Sequence, residues 1–268
     1  MVEFQRKDFY SYEDFLEIMR LLRAPGGCPW DREQTHSSIH RNFLEETYEV
    51  LDAIDHDDAS GMCEELGDVL MQVAFHAQIE AERGRFTMAN VVDGVARKLV
   101  YRHPHVFGDV QADTSQQVLA NWDVLKRREK GQRSTADAVE AVPHTLPALW
   151  RAEKIQSKTA KAGFDWTSSL QALDKLEEEV RELRAALEAG QAADAPHGIR
   201  EELGDTLFMA AKIAQMSGVD PEDALHRACD KFDRRFRAVE EAADKPLPEC
   251  GEAELLALWN DAKSHDPS

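Results

Sequence analysis

The pentapeptide EELGD occupies residues 64–68 and returns at residues 201–205. It is the centre of a longer ordered repeat. LEETYEV (44–50) aligns with EEEVREL (177–183), CEELGDVLM (63–71) with REELGDTLF (200–208), RKLVYR (97–102) with DKFDRR (230–235), and NWDVLK (121–126) with LWNDAK (258–263). The offset is 133 or 137 at every match. Four matches in one order describe a duplicated module and exclude a short-period solenoid.

Inside each copy the apolar residues recur at three- and four-residue spacing, as in Leu66, Val69, Leu70 and Val73. That is the helical period, and alternating β-type runs are nearly absent, so the expected fold is all-α with two homologous helical modules. The stretch KGQRSTADAVEAVP (130–143) is small, polar and proline-terminated. It reads as a linker, placing one module at residues 1–130, the linker at 131–142 and the second module at 143–268. Each module should contain an antiparallel helical hairpin. The first is broken at DHDDASG (55–61), between helices over 45–54 and 62–82, and the second at GQAADAPHG (190–198).

Charge narrows the function. The chain carries 51 acidic and 32 basic residues, a net charge of −19, which argues against binding nucleic acid through its phosphates. No apolar run reaches the ~18 residues of a membrane span, and the first fifteen residues lack the apolar core of a signal peptide. The four cysteines, Cys28, Cys63, Cys229 and Cys250, form no CxxC. They are expected to be buried or idle thiols in a reducing cytoplasm.

Glu46 and Glu49 lie three apart and share a helix face, as do Glu65 and Asp68 on the next helix. Antiparallel packing brings these four carboxylates together, and Glu179, Glu182, Glu202 and Asp205 repeat the set. Such a cluster calls for a cation, and all-oxygen ligands suit Mg²⁺ or Mn²⁺. Gly67 and Gly204 stand at equivalent points inside helices, where glycine costs about 1 kcal/mol relative to alanine. Close approach of a helix, metal or ligand is the expected reason. Lys98 with Arg102, and Lys231 with Arg235, are four apart and suit a clamp on phosphate oxygens. Trp122 with Lys126, and Trp259 with Lys263, suit either helix packing or a base-stacking platform with a lysine reaching phosphate. Trp30 and Trp166 either border a base pocket or fill a core. His103 and His105 are expected to be structural, or to support a site from behind.

EETYE followed by EELGD, then KLVYRHPHVFGD and NWDVLK, with GGCPWDREQTH before them, resembles the MazG family of all-α nucleoside triphosphate pyrophosphohydrolases over nearly the whole chain. The resemblance implies Mg²⁺-dependent cleavage of an NTP to NMP and pyrophosphate by a homodimer. It puts the acidic motif on Glu45, Glu46, Glu49, Glu65 and Asp68, and on Glu178, Glu179, Glu182, Glu202 and Asp205. The basic and aromatic positions fall on Lys231, Arg235, Trp259 and Lys263. Metal-polarised phosphate, water activation by Glu178 or Glu45, and charge stabilisation by the Lys/Arg pair are the implied roles. Hydrolysis is expected mainly in the second module.

Two other classes compete. A carboxylate-bridged di-iron oxidase needs Glu-x-x-His pairs, but the i+3 partners here are acidic. A non-catalytic helical adaptor would use the acidic face to hold a basic protein partner, and intact doubled site sets argue against it.

Overall fold

The computed structural model describes residues 3–112, 114–190 and 192–266, with backbone alone at positions 120 and 123. Among the described residues there are helices and no strand. The chain divides into two compact units, residues 1–126 and 127–268. No helix among the described residues is long and apolar enough to cross a membrane.

In the first unit, α1 (Tyr12–Arg23) opens on a capping box in which Ser11 and Asp14 satisfy each other's backbone N–H. A turn through Gly26 and Gly27 leads to α2 (Pro29–Glu33). A Cβ at Gly27 would collide with the carbonyl oxygens of Leu21 and Leu22, so the tight turn requires glycine there. Helices α3 (His40–Asp55) and α4 (Ala59–Glu82) form the hairpin. The break between them is made by Asp57 in the left-handed region and by Asp58, whose carboxylate accepts from the N–H groups of Ser60 and Gly61. Met19, Ile39, Ala74, Phe75 and Ile79 form the buried core, which seats α1 against the second half of α4. Arg23 fastens the same contact with two hydrogen bonds to Glu82, at 2.8 and 2.9 Å. Helix α5 (Met88–Arg102) ends at Arg102 because Pro104, which opens α6 (Pro104–Phe107), disfavours helix at the intervening His103. Helix α7 (Ser115–Glu129) follows.

The second unit contains α8 (Thr135–Glu140), α9 (Ala148–Ala160), α10 (Ser169–Glu188), α11 (Ile199–Met216), α12 (Pro221–Ala242) and α13 (Glu252–His265). Helices α10 and α11 repeat the α3–α4 hairpin. Helix α9 packs along α11, and α12 packs on α9, α11 and α13. Ala152, Ala172, Ala186, Met209, Ala211, Val239 and Ala262 are buried in this unit. Small side chains at such positions let helix backbones approach closely.

The polar stretch expected as a linker contains a helix. Its centre is α8, which packs on α9, and Ala138 and Val142 are buried. A capping box between Ser134 and Asp137 starts that helix, so the polar residues serve its N-terminus. All four cysteines are free, as idle thiols would be; none is buried, and Cys63 and Cys229 are exposed.

Candidate active site

The hairpins bring the predicted carboxylates together. In the first unit Glu46, Glu49 and Glu65 have ligand oxygens within 4.8 Å of one another. Asp68 lies close enough to raise the pKa of Glu46 and Glu65. Burial and then the charges of Asp68 and Glu49 lift Glu46 above the usual carboxylate range. Burial and then Glu49 and Asp68 do the same to Glu65. Glu45 points elsewhere, taking a 2.8 Å hydrogen bond from Arg41 Nε.

In the second unit the mutual trio is Glu179, Glu202 and Asp205, again within 4.8 Å. Glu179 and Glu202 are buried and Asp205 is exposed. Glu182 adjoins them. Its pKa is raised by burial and then by Glu179, and that of Asp205 by burial and then by Glu179 and Glu201. These groups line an open cleft of about 580 Å³ together with Lys175, His197 and Glu201. Raised carboxylate pKa values across a converging set follow from burial and then from the like charges of neighbouring carboxylates. An all-oxygen set of this kind fits a hard divalent cation.

Lys175 is a member of this cluster that sequence reasoning missed. Its Nζ donates to Glu178 at 2.7 Å and to Glu179 at 2.8 Å. The ammonium pKa is raised by Glu178 and then Glu179. The signal was available, since Lys175 lies three and four residues before two candidate acids, but such pairs are ordinary on helices. The matching residue of the first hairpin is Asn42, so the first cluster has no lysine at that place.

The glycine expectation meets a plain result. A Cβ at Gly67 or Gly204 would find nothing within 4 Å. Neither glycine serves a close helix–helix approach among the described residues.

The basic and aromatic flanks occupy separate places. Lys98, Lys231 and Lys263 are exposed. Arg235 is bonded to Asp266 rather than turned to the carboxylates, with Nε 2.8 Å from Oδ2. Arg102 is buried, with its guanidinium over the Trp122 ring at 5.4 Å. His103 meets the same indole edge-on at 4.8 Å, and its Nδ1 lies 2.6 Å from the Leu99 carbonyl oxygen. Trp122 and Trp259 are both half-buried and packed, Trp259 against Phe232 at 5.2 Å. Trp30 is 59% exposed and fills no core. Half-buried Trp166 faces the buried Lys212, whose ammonium is paired with Asp165 at 2.5 Å.

A second polar cluster, absent from the sequence reading, lies two helical turns beyond Asp68 on α4. His36 Nδ1 is 2.7 Å from His76 Nδ1, and His36 Nε2 is 2.5 Å from Glu80. Arg83 and Arg85 also hold the Glu80 carboxylate. The two histidines are 40 residues apart, so only the packing of the loop before α3 onto α4 joins them.

Comparisons with known proteins agree with the duplication. The sequence profile described as the MazG nucleotide pyrophosphohydrolase domain matches residues 34–107 and again residues 167–239. The chain is 46% identical over 226 residues to a nucleoside triphosphate pyrophosphohydrolase of Escherichia coli K12, covering 84% of this chain and 85% of that one. It is 41% identical over 258 residues to the nucleoside triphosphate pyrophosphohydrolase/pyrophosphatase MazG of Thermotoga maritima, covering 95% and 96%. An uncharacterized Bacillus subtilis protein, YabN, is 43% identical over 260 residues, covering 95% of this chain and 52% of that protein.

Proposed function

Because the chain belongs to the MazG nucleotide pyrophosphohydrolase family, we propose that it hydrolyses nucleoside triphosphates, canonical or non-canonical, to the monophosphate and pyrophosphate. The observation that carries this reading is the converging carboxylate set, built twice on equivalent hairpins. Glu46, Glu49, Glu65 and Asp68 would hold Mg²⁺ or Mn²⁺ in the first unit, and Glu179, Glu182, Glu202 and Asp205 in the second. Bound there, the ion supplies neutralising charge for the triphosphate and acidity for the attacking water.

The chain's own groups supply the rest. Glu178 lies beside the buried Glu179 but outside the mutual trio, so it is placed to orient or accept a proton from water once Lys175 turns away. Glu45 is its counterpart. Lys231 and Arg235, with Lys98 and Arg102 as the first-unit pair, bind phosphate oxygens and stabilise charge on the departing pyrophosphate. Trp259 with Lys263, and Trp122 with Lys126, flank the nucleoside and its phosphates. Pairing with a second copy is supported by apolar residues left exposed at equivalent places on both hairpins, Leu66 and Leu203, and Leu70 and Leu207.

The test is a product-resolved hydrolysis panel over NTPs, dNTPs and damaged nucleotides with Mg²⁺, separated by ion exchange. NMP with pyrophosphate is the expected pair. NDP with orthophosphate would place the cut at the wrong anhydride and end the proposal.

A further inference from the structure

Helices α12 and α13 form a packed pair, with Phe232 against Trp259. At its far end Asp266, the residue capping α13, sends its carboxylate back to α12. The side chain of Asp266 is 6% exposed, and its pKa is lowered first by Arg235. A buried carboxylate at a helix C-terminus faces the negative end of the helix dipole, which is an unfavourable place without a cation. Arg235 provides that cation through Nε at 2.8 Å, and Arg234 adds a longer contact at 3.5 Å.

The geometry at Arg235 is selective. Its hydrogen bond to Asp266 uses Nε, and no described residue hydrogen-bonds either Nη nitrogen. The side chain is 18% exposed and lines an open cavity of about 350 Å³ between the two helices. A guanidinium gripped at Nε keeps its Nη edge free for a two-point contact with an oxyanion. In a chain of net charge −19, an ungripped arginine has many carboxylates to turn to.

We propose that Asp266 is a positioning residue: it holds Arg235 by Nε so that the Nη edge is presented to a phosphate group. The inference rests on the reading above that Arg235 meets the triphosphate. The first unit holds its matching arginine differently, since Arg102 is buried over Trp122.

The experiment is a double-mutant cycle on the full chain, with kcat/KM for an NTP measured for R235A, D266A, D266N and R235A/D266A after each is checked for folding by circular dichroism. D266A is expected to lower kcat/KM about tenfold, the scale of one hydrogen bond to a charged group. D266N keeps an acceptor oxygen and is expected to fall between D266A and the wild type; it also carries the test if D266A does not fold. Adding D266A to R235A should change kcat/KM by less than about twofold, because the group being positioned is already gone. An R235A variant with wild-type kcat/KM overturns the phosphate role of Arg235 and the positioning with it. A costly R235A beside a harmless D266A, or fully additive losses, overturns the positioning alone.

Discussion

Lys175 Nζ sits 2.8 Å from Glu179 Oε1, an ammonium lodged at the edge of a carboxylate cluster. It also reaches Glu178 at 2.7 Å, so one lysine answers part of the repulsion among Glu179, Glu182, Glu202 and Asp205. A divalent cation arriving at the same oxygens must displace it. Lys175→Met removes that competitor, and Mg²⁺ affinity by calorimetry is expected to rise about fivefold, the equivalent of ~1 kcal/mol for a partly exposed pair. Weaker Mg²⁺ binding by the variant would show that the lysine supports the metal site instead of competing for it.

Metal dependence follows from the same charge balance. Glu46, Glu65, Glu182 and Asp205 are all held above the usual carboxylate range, first by burial and then by neighbouring carboxylates of the same hairpin. Mg²⁺ or Mn²⁺ bound at these oxygens would relieve this in the folded chain and would find little to bind in the unfolded one. Saturating Mg²⁺ should raise the melting temperature by about 3 °C or more, and EDTA should abolish hydrolysis until metal is restored. Full turnover in EDTA would remove the metal from the mechanism.

A pH dependence of stability is expected from the histidine cluster. Burial, then His36 and His40, lower the pKa of His76, and the 2.7 Å contact between His36 and His76 accommodates one proton. A histidine with a lowered folded pKa binds fewer protons folded than unfolded. Its contribution is therefore complete above the unfolded value of about 6.5 and is lost as pH falls through the folded pKa. Glu80, also lowered, first by His36, loses its contribution in a separate window below about pH 4.3. The melting temperature should drop between about pH 7.5 and about pH 5.5, and His76→Phe should flatten that drop. An unchanged slope in the variant would show that His76 is not the group responsible.

What the sequence made legible and what it hid divide along one physical line. The carboxylate set was readable because a helix places residues three apart on one face and a short break returns the chain antiparallel, so Glu46, Glu49, Glu65 and Asp68 converge from local rules alone. Arg102 at a helix end followed from Pro104. The pairs that stayed hidden, Arg235 with Asp266 and His36 with His76, depend on how separate helices and loops pack, and no local spacing announces them. Helix α8 stayed hidden for a related reason. Its polar composition matches a linker, while the burial of Ala138 and Val142 comes from docking on α9.

The two hairpins offer two candidate centres, and their surroundings differ enough to predict which one turns over faster. The second unit has buried ligand candidates in Glu179 and Glu202, and an unbroken α12 that carries both Lys231 and Arg235. In the first unit, α5 stops at Arg102, and that arginine is buried over Trp122 instead of presented at a surface. A clamp that must meet phosphate is better placed on α12, so hydrolysis is expected mainly in the second unit. Glu202→Ala should cut turnover about 10²-fold or more, as loss of a metal-holding group does, while Glu65→Ala should leave most of it. Each variant is compared by kcat after its helical content and melting are matched to the wild type. Loss confined to Glu65→Ala would reverse the assignment, and comparable partial losses in both variants would mean that each hairpin carries a working centre.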